Sequence, residues 1–227
     1  MPKPLYLDDA GRRLIADAVT AAEANTSGEI VTILTDRSDG YMDVAFAWSV
    51  GVAFTALAVV AAMPQFYLNM LEDAFGLWSH RWTEREILTL ALGIGVLKFI
   101  GMMLLQLWQP LKFWLIPGRI KSHRVRDRAV SYFRVGTEAR TQGRTGILIY
   151  LSMREHRADI VADAAIARIV PAEAWGDAMA VLLADVGQGR IAEGMAAAVG
   201  EVGKLLSPNF PRADDDENEL PDRLIEV

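Results

Sequence analysis

The chain has 227 residues, of which 52% are hydrophobic, with a mean hydropathy of +0.20 and a formal net charge of -6. Such a length allows one or two domains, and the apolar content exceeds that of an ordinary soluble protein. The acidic balance argues against a nucleic-acid binder. The absence of cysteine excludes disulfides, thiolate nucleophiles and Cys-based zinc sites, and the three histidines, His80, His123 and His156, are too far apart to form a helical metal-binding pair.

From the N-terminus, "MPKPLYLDDAGRRLIAD" lacks the basic region, apolar stretch and small-residue cleavage site of a signal peptide, so none is expected to be removed. Asp8 or Asp9 is placed to cap a helix in which Leu14, Ile15, Ala18, Val19 and Ala22 recur at helical spacing. After the "NTSG" turn, Glu29 to Leu34 reads as a strand, which needs partners from elsewhere in the chain to satisfy its backbone.

Val44 to Met63 is a run of 20 residues without a charge, long enough as a helix to cross the roughly 30 Å of bilayer hydrocarbon. Ile87 to Leu107 is equally apolar apart from Lys98 and Gln106. The spacing of Ala47, Gly51 and Thr55, and of Ala91 and Gly95, gives each span a small-residue stripe suited to close packing in a hairpin. The linker from Pro64 to Glu86 carries Phe66, Tyr67, Phe75, Trp78 and Trp82, which favour the headgroup layer. Lys112, Arg119, Lys121, Arg124, Arg126 and Arg128 follow the second span with Asp127 as the one acid among them, so both termini are expected in the cytoplasm.

Past the Pro117-Gly118 break, "RIKSHRVRDRAVSYF" is predicted to be a helix with Ile120, Val125, Ala129, Val130 and Phe133 as its apolar stripe and a basic face suited to anionic lipid. Ile147 to Leu151 and Ala158 to Ala162 read as two strands joined by a tight charged turn. Helices are predicted over Asp163 to Ile169, Ala172 to Val186 and Ile191 to Leu206, and the proline-punctuated acidic segment from Ser207 is expected to be a mobile arm. The resulting expectation is an α/β fold: a small central sheet of about three or four strands sandwiched by helices, with an inserted transmembrane α-hairpin. Residues 1–40 and 119–206 form one domain, 41–118 the hairpin insertion with spans 44–63 and 87–107, and 207–227 the tail.

The stretches "LDDAGRRLIADAVTAAEANTSGEIVTILTD" and "RTGILIYLSMREHRADIVAD", with the late "GRIAEGM", resemble the TPM domain family. That family includes a thylakoid-lumen protein of photosystem II repair and an animal modulator of acetylcholine receptors. The resemblance implies a bacterial, membrane-anchored version of a sheet sandwiched by helices. It also brings to view the acid phosphatase activity assigned to the plant member and the calcium bound by some members through carboxylates near strand ends. Longer members carry a glycine-rich segment with a glutamate after the third strand, where this chain continues "VADAAIARIV".

From the residues alone, Asp36 and Asp39 follow the first strand and Asp163 ends the third, which makes these three the candidate ligands for a hard cation such as Ca2+. The simpler reading makes Asp36 and Asp39 turn residues and Asp163 a helix cap. Ser152 and His156 sit in a turn without a third group to complete a nucleophilic triad, and Trp175 reads as a packing residue. The expected function is a non-catalytic docking or accessory module at the cytoplasmic face of the inner membrane. Its expected partners are the lipid bilayer, a membrane or cytoplasmic protein and a second copy of the chain, not nucleic acid. A metal-assisted phosphatase is the alternative from a different class. A small transporter or channel component resting on Lys98 is another, and a lysine this deep in a span costs about 3 kcal/mol to insert.

Overall fold

The computed structural model describes residues 6–76, 81–136, 145–212 and 220–227. Trp78, Gly143 and Arg144 of the "GRTG" turn, and the acidic run 213–219 lie outside the described residues. In chain order the elements are α1 (Asp9–Glu23), β1 (Glu29–Thr35), α2 (Met42–Ala62), α3 (Pro64–Phe75), α4 (Glu84–Leu105), α5 (Gln109–Leu115), α6 (Gly118–Gly136), β2 (Gly146–Ser152), β3 (Arg157–Ala162), α7 (Ala164–Ile169), a 3-10 turn (Ala172–Trp175), α8 (Gly176–Val186), α9 (Ile191–Leu206) and β4 (Ile225–Glu226). They divide into two compact units, residues 1–39 with 118–227 and residues 40–117.

The first unit is built on a four-stranded sheet of order β3-β2-β1-β4. β1 and β2 are parallel, in a register that sets Ile30 beside Ile147 and Leu34 beside Leu151, and β3 returns antiparallel to β2. Every residue of β1 and β2 is buried, as expected of central strands covered on both faces. Alternation then assigns the side chains to two layers. Ile30, Leu34, Ile147, Ile149 and Leu151 pack with Ile15 and Val19 of α1, Leu182 of α8 and Met195, Ala198 and Val202 of α9. On the other face, Val31, Ile33, Leu148 and Tyr150 meet Val125, Ala129 and Phe133 of α6. The missing partners of β1 are therefore β2, which lies more than a hundred residues downstream, and β4 at its outer edge.

Local signals explain most element ends. Asp8 caps α1 by accepting from the Gly11 N–H at 2.7 Å, and Asp163 caps α7 by accepting from the Ala164 N–H at 2.6 Å. The helix expected over Ala172 to Val186 begins as a 3-10 turn after Pro171 and becomes α-helical at Gly176.

One expectation is corrected at the C-terminus. The segment from Ser207 is not a mobile arm throughout: Leu220 and Leu224 are buried, and Ile225–Glu226 pairs with β1 as β4. Composition predicted an arm because proline and acids dominate there, but two leucines and a free sheet edge outweigh them.

In the second unit, α2 and α4 are two helices long and apolar enough to span a membrane. They run antiparallel, with Phe46 edge-on to Phe99 at 5.6 Å between ring centroids. Gly95 lies in the seam, where a Cβ would sit 3.3 Å from Leu57. Near the other end of the seam, the Gln106 amide donates to the Ala45 carbonyl at 3.0 Å and the Ser49 hydroxyl at 3.3 Å. The small-residue stripe expected on α2 is misassigned. Ala47, Gly51 and Thr55 are exposed, and the seam uses Ala45, Ser49 and Leu57 instead. Lys98 is also exposed. Below the seam, Lys112 of α5 donates to the Gly40 carbonyl at 2.6 Å, and the Trp48 indole donates to the Leu115 carbonyl at 3.1 Å.

Candidate functional site

The carboxyl ends of parallel strands are where an α/β sheet presents loops that can hold a ligand. In the first unit this end carries the loop Asp36–Asp39 after β1 and the turn Met153–His156 between β2 and β3. A network of polar side chains ties the two together. Glu155 is buried and accepts from the Ser38 backbone N–H at 2.8 Å and from the Ser152 hydroxyl at 2.5 Å. The Ser38 hydroxyl shares a hydrogen bond of 3.0 Å with the Tyr150 phenol, and the Ser38 carbonyl accepts from Arg128 of α6 at 2.9 Å. Ser38 is thereby held at its N–H, its hydroxyl and its carbonyl.

Asp36 receives the Arg154 guanidinium on both oxygens at 3.0 Å and also accepts from the Tyr6 phenol. Asp39 pairs with Arg124 of α6 at 3.2 Å. Beside this pair a polar hollow of about 230 Å³ is lined by Ser38, Asp39, Arg124, Asp127, Arg128 and Ser131. The charges around it come in both signs, so it has no net preference for an anion or a cation.

The electrostatics follow from burial and neighbours. Burial, and secondarily the hydrogen bond to ionised Asp36, push the Tyr6 phenol up to about 12. Burial likewise pushes Tyr150 up to about 12, against the lowering effect of its bond to Ser38. Both phenols are therefore neutral over the ordinary pH range, and Tyr6 donates its proton to Asp36. At the entrance to α6, burial and then the nearby Arg157 lower the Lys121 ammonium.

The structure does not bring the three candidate cation ligands together. Asp36 and Asp39 lie beyond the carboxyl end of β1, whereas Asp163 donates its backbone N–H to Gly146 at the opposite end, where β2 begins. The length of β1 separates them by about 20 Å. The physical reason is the antiparallel turn of β3, which carries its last residue back to the start of β2. Among the described residues, no group of three or more His, Asp or Glu side chains is placed to hold a metal ion. Arg154 and Arg124 supply the positive charge that Asp36 and Asp39 face. Ser152 is turned to Glu155 and not to His156, whose backbone adopts φ 49° in the turn. Trp175 is buried in the core layer formed by α1, α8 and α9.

Glu155, Tyr150 and Arg154 are not among the residues that the sequence singles out, and Arg128 figures there only as one of the bases after the second span. The spacing Ser152-x-x-Glu155, which lets a side-chain oxygen close a short turn, was the one local signal for Glu155. Arg128 had no local signal, because its role depends on α6 packing across β1 and β2.

No protein-family model and no curated protein sequence matches the chain. Among solved structures, the chain is similar to the NMR structure of the BA42 protein from the psychrophilic bacterium Bizionia argentinensis. The TM-score is 0.57 and the identity 18%, with the whole of both chains covered. At that identity the likeness is one of fold.

Proposed function

We propose that this protein is a TPM-type domain anchored in a bacterial inner membrane by an inserted helical hairpin, and that it serves as a non-catalytic docking or accessory module on the cytoplasmic face. The observation that carries the reading is an α/β domain whose chain departs after Asp39 and returns at Gly118, with two helices of membrane-spanning length and composition between. The fold likeness to BA42 supports the TPM assignment, and the excess of Lys and Arg after α4 supports cytoplasmic termini. The non-catalytic part rests on the carboxylates at the strand ends, each tied to an arginine or to hydroxyl and backbone donors of its own domain.

Two measurements test this. The chain should stay with membranes through an alkaline wash, and a reporter fused after Val227 should be active in the cytoplasm; release by the wash or an external reporter would reject the anchoring. Purified chain should not hydrolyse a phosphate monoester when given Ca2+ or Mg2+. Divalent-dependent hydrolysis lost in Asp36→Asn without unfolding would replace the docking reading with the phosphatase one.

A further inference from the structure

The charged groups at the carboxyl end of the sheet fall into two sets. The first is engaged within the domain: Asp36 with Arg154, Asp39 with Arg124, and Glu155 with the Ser38 N–H and the Ser152 hydroxyl. The bases in the middle of α6 belong to this set too. Besides the Arg124 pair, Arg126 donates to Asp159 at 2.7 Å and to the Ile160 carbonyl at 2.9 Å, and Arg128 donates to the Ser38 carbonyl. Much of the basic face expected of α6 is therefore occupied in holding the helix to the sheet.

The second set is Arg37, Arg119, Lys121 and Arg157, and among the described residues none of these four forms an ion pair. The three arginines are exposed and Lys121 is half-buried. They converge from three segments: the loop after β1, the start of α6 and the first residue of β3. A Cβ on Gly118 would lie 3.4 Å from an Arg157 guanidinium nitrogen, and Arg37 adjoins Ser38, whose N–H is held by Glu155 in the turn before Arg157. Burial, and then the charge of Arg157, lower the Lys121 ammonium, while the buried Glu155 acts the other way. Like charges held this close repel unless an anion lies between them. The chain also leaves this end of the sheet for α2 and returns to it at Gly118. The residues from Arg37 to Met42, where α2 starts, span at most about 18 Å when extended.

We propose that Arg37, Arg119, Lys121 and Arg157 form a docking surface for anionic lipid headgroups, which holds the carboxyl end of the sheet against the bilayer that the hairpin enters. The guanidinium and ammonium groups donate to phosphate oxygens, and mobile lipids can bring an anion between cations that the fold keeps fixed. The inference deepens the membrane-anchored reading and takes from it the position of the bilayer.

The absence of native cysteine permits a single probe on the full chain. Ser122→Cys, exposed beside the patch, carries a polarity-sensitive fluorophore, and the chain is reconstituted in nanodiscs of phosphatidylcholine with or without phosphatidylglycerol. The expected result is a blue shift in the discs that contain phosphatidylglycerol, reversed by high salt. The same fluorophore on Asn25→Cys, which precedes β1 at the opposite end of the sheet, should show none. Arg119→Gln, Lys121→Gln and Arg157→Gln together should abolish the shift. Arg134→Gln, Arg168→Gln and Arg223→Gln, which remove the same charge from bases equally free of ion pairs, should leave it. Emission that is equal in the two discs, or that follows net charge and not position, would overturn the proposal, and the salt series decides without any variant in the patch. A chain that does not enter nanodiscs would reject the anchoring instead. The patch is then read by co-sedimentation with preformed vesicles of the two compositions. There the triple patch variant should weaken binding to phosphatidylglycerol vesicles by roughly a hundredfold, and equal sedimentation of the native chain with both compositions would overturn the proposal.

Discussion

Thr32 sits in the middle of β1 with its hydroxyl buried and without a hydrogen-bond partner among the described residues. Its neighbours on that face, Ile30 and Leu34, belong to the apolar layer under α1 and α9. Replacing an unsatisfied buried hydroxyl with a methyl of the same shape removes its desolvation penalty, so Thr32→Val should stabilise the fold by about 1 kcal/mol in chemical denaturation. Tyr6 and Tyr150 carry a second expectation. Their phenols titrate near 12 in the folded chain against 10 when unfolded. Because folding raises these values, the stability they contribute is fully present below pH 10 and is lost as pH rises through 12. Unfolding free energies measured across that range should fall, and Tyr150→Phe should flatten part of the fall. Residue by residue, the sequence shows that Asp36, Asp39 and Asp163 end strands or begin turns. It does not show at which end of the sheet each lies, since that depends on the direction in which β3 pairs with β2.

Among the elements, the approach of α1 to α9 depends on small side chains. A Cβ on Gly203 would lie 2.8 Å from the Cβ of Ala22, whereas one on Gly200, a turn away, would meet open space. Gly203→Ala should therefore lower the melting temperature by forcing the helices apart. Gly200→Ala should raise it slightly, since alanine is favoured over glycine in a helix by about 1 kcal/mol. Thermal unfolding of the two variants side by side checks both signs. Most elements were legible in sequence because each carries its own signal: Asp8 and Asp163 as caps, the unbroken apolar run of β2, and the uncharged run of α2 from Val44 onward. β4 was not legible. A two-residue strand has no period to read, and it exists because β1 offers an edge for it. The packing face of α2 was misread for a related reason. In a helix apolar on all sides, the face that meets α4 is decided by Gly95 and Gln106 on the facing helix and its cap and not by a contrast within α2 itself.

At the level of the whole molecule, the insertion point is a feature of the first unit alone. Arg124 holds Asp39 at 3.2 Å, and Gly118 begins the same helix less than two turns earlier. A short Gly-Ser linker replacing residues 40–117 should therefore leave a chain that stays in solution without detergent and keeps its α/β circular dichroism and cooperative unfolding. Aggregation of that variant would mean that the domain needs the hairpin to fold. The sequence by itself determined the existence of the hairpin, the α/β character of the remainder and the split between them, because length, hydropathy and periodicity are local properties that neighbouring residues impose directly. The tertiary structure alone decided that Asp163 lies far from Asp36, that Glu155 and Arg128 converge on Ser38, and that the C-terminus completes the sheet. Each of these joins residues distant in the chain, and strand direction and layer packing select such pairs only once the sheet has formed.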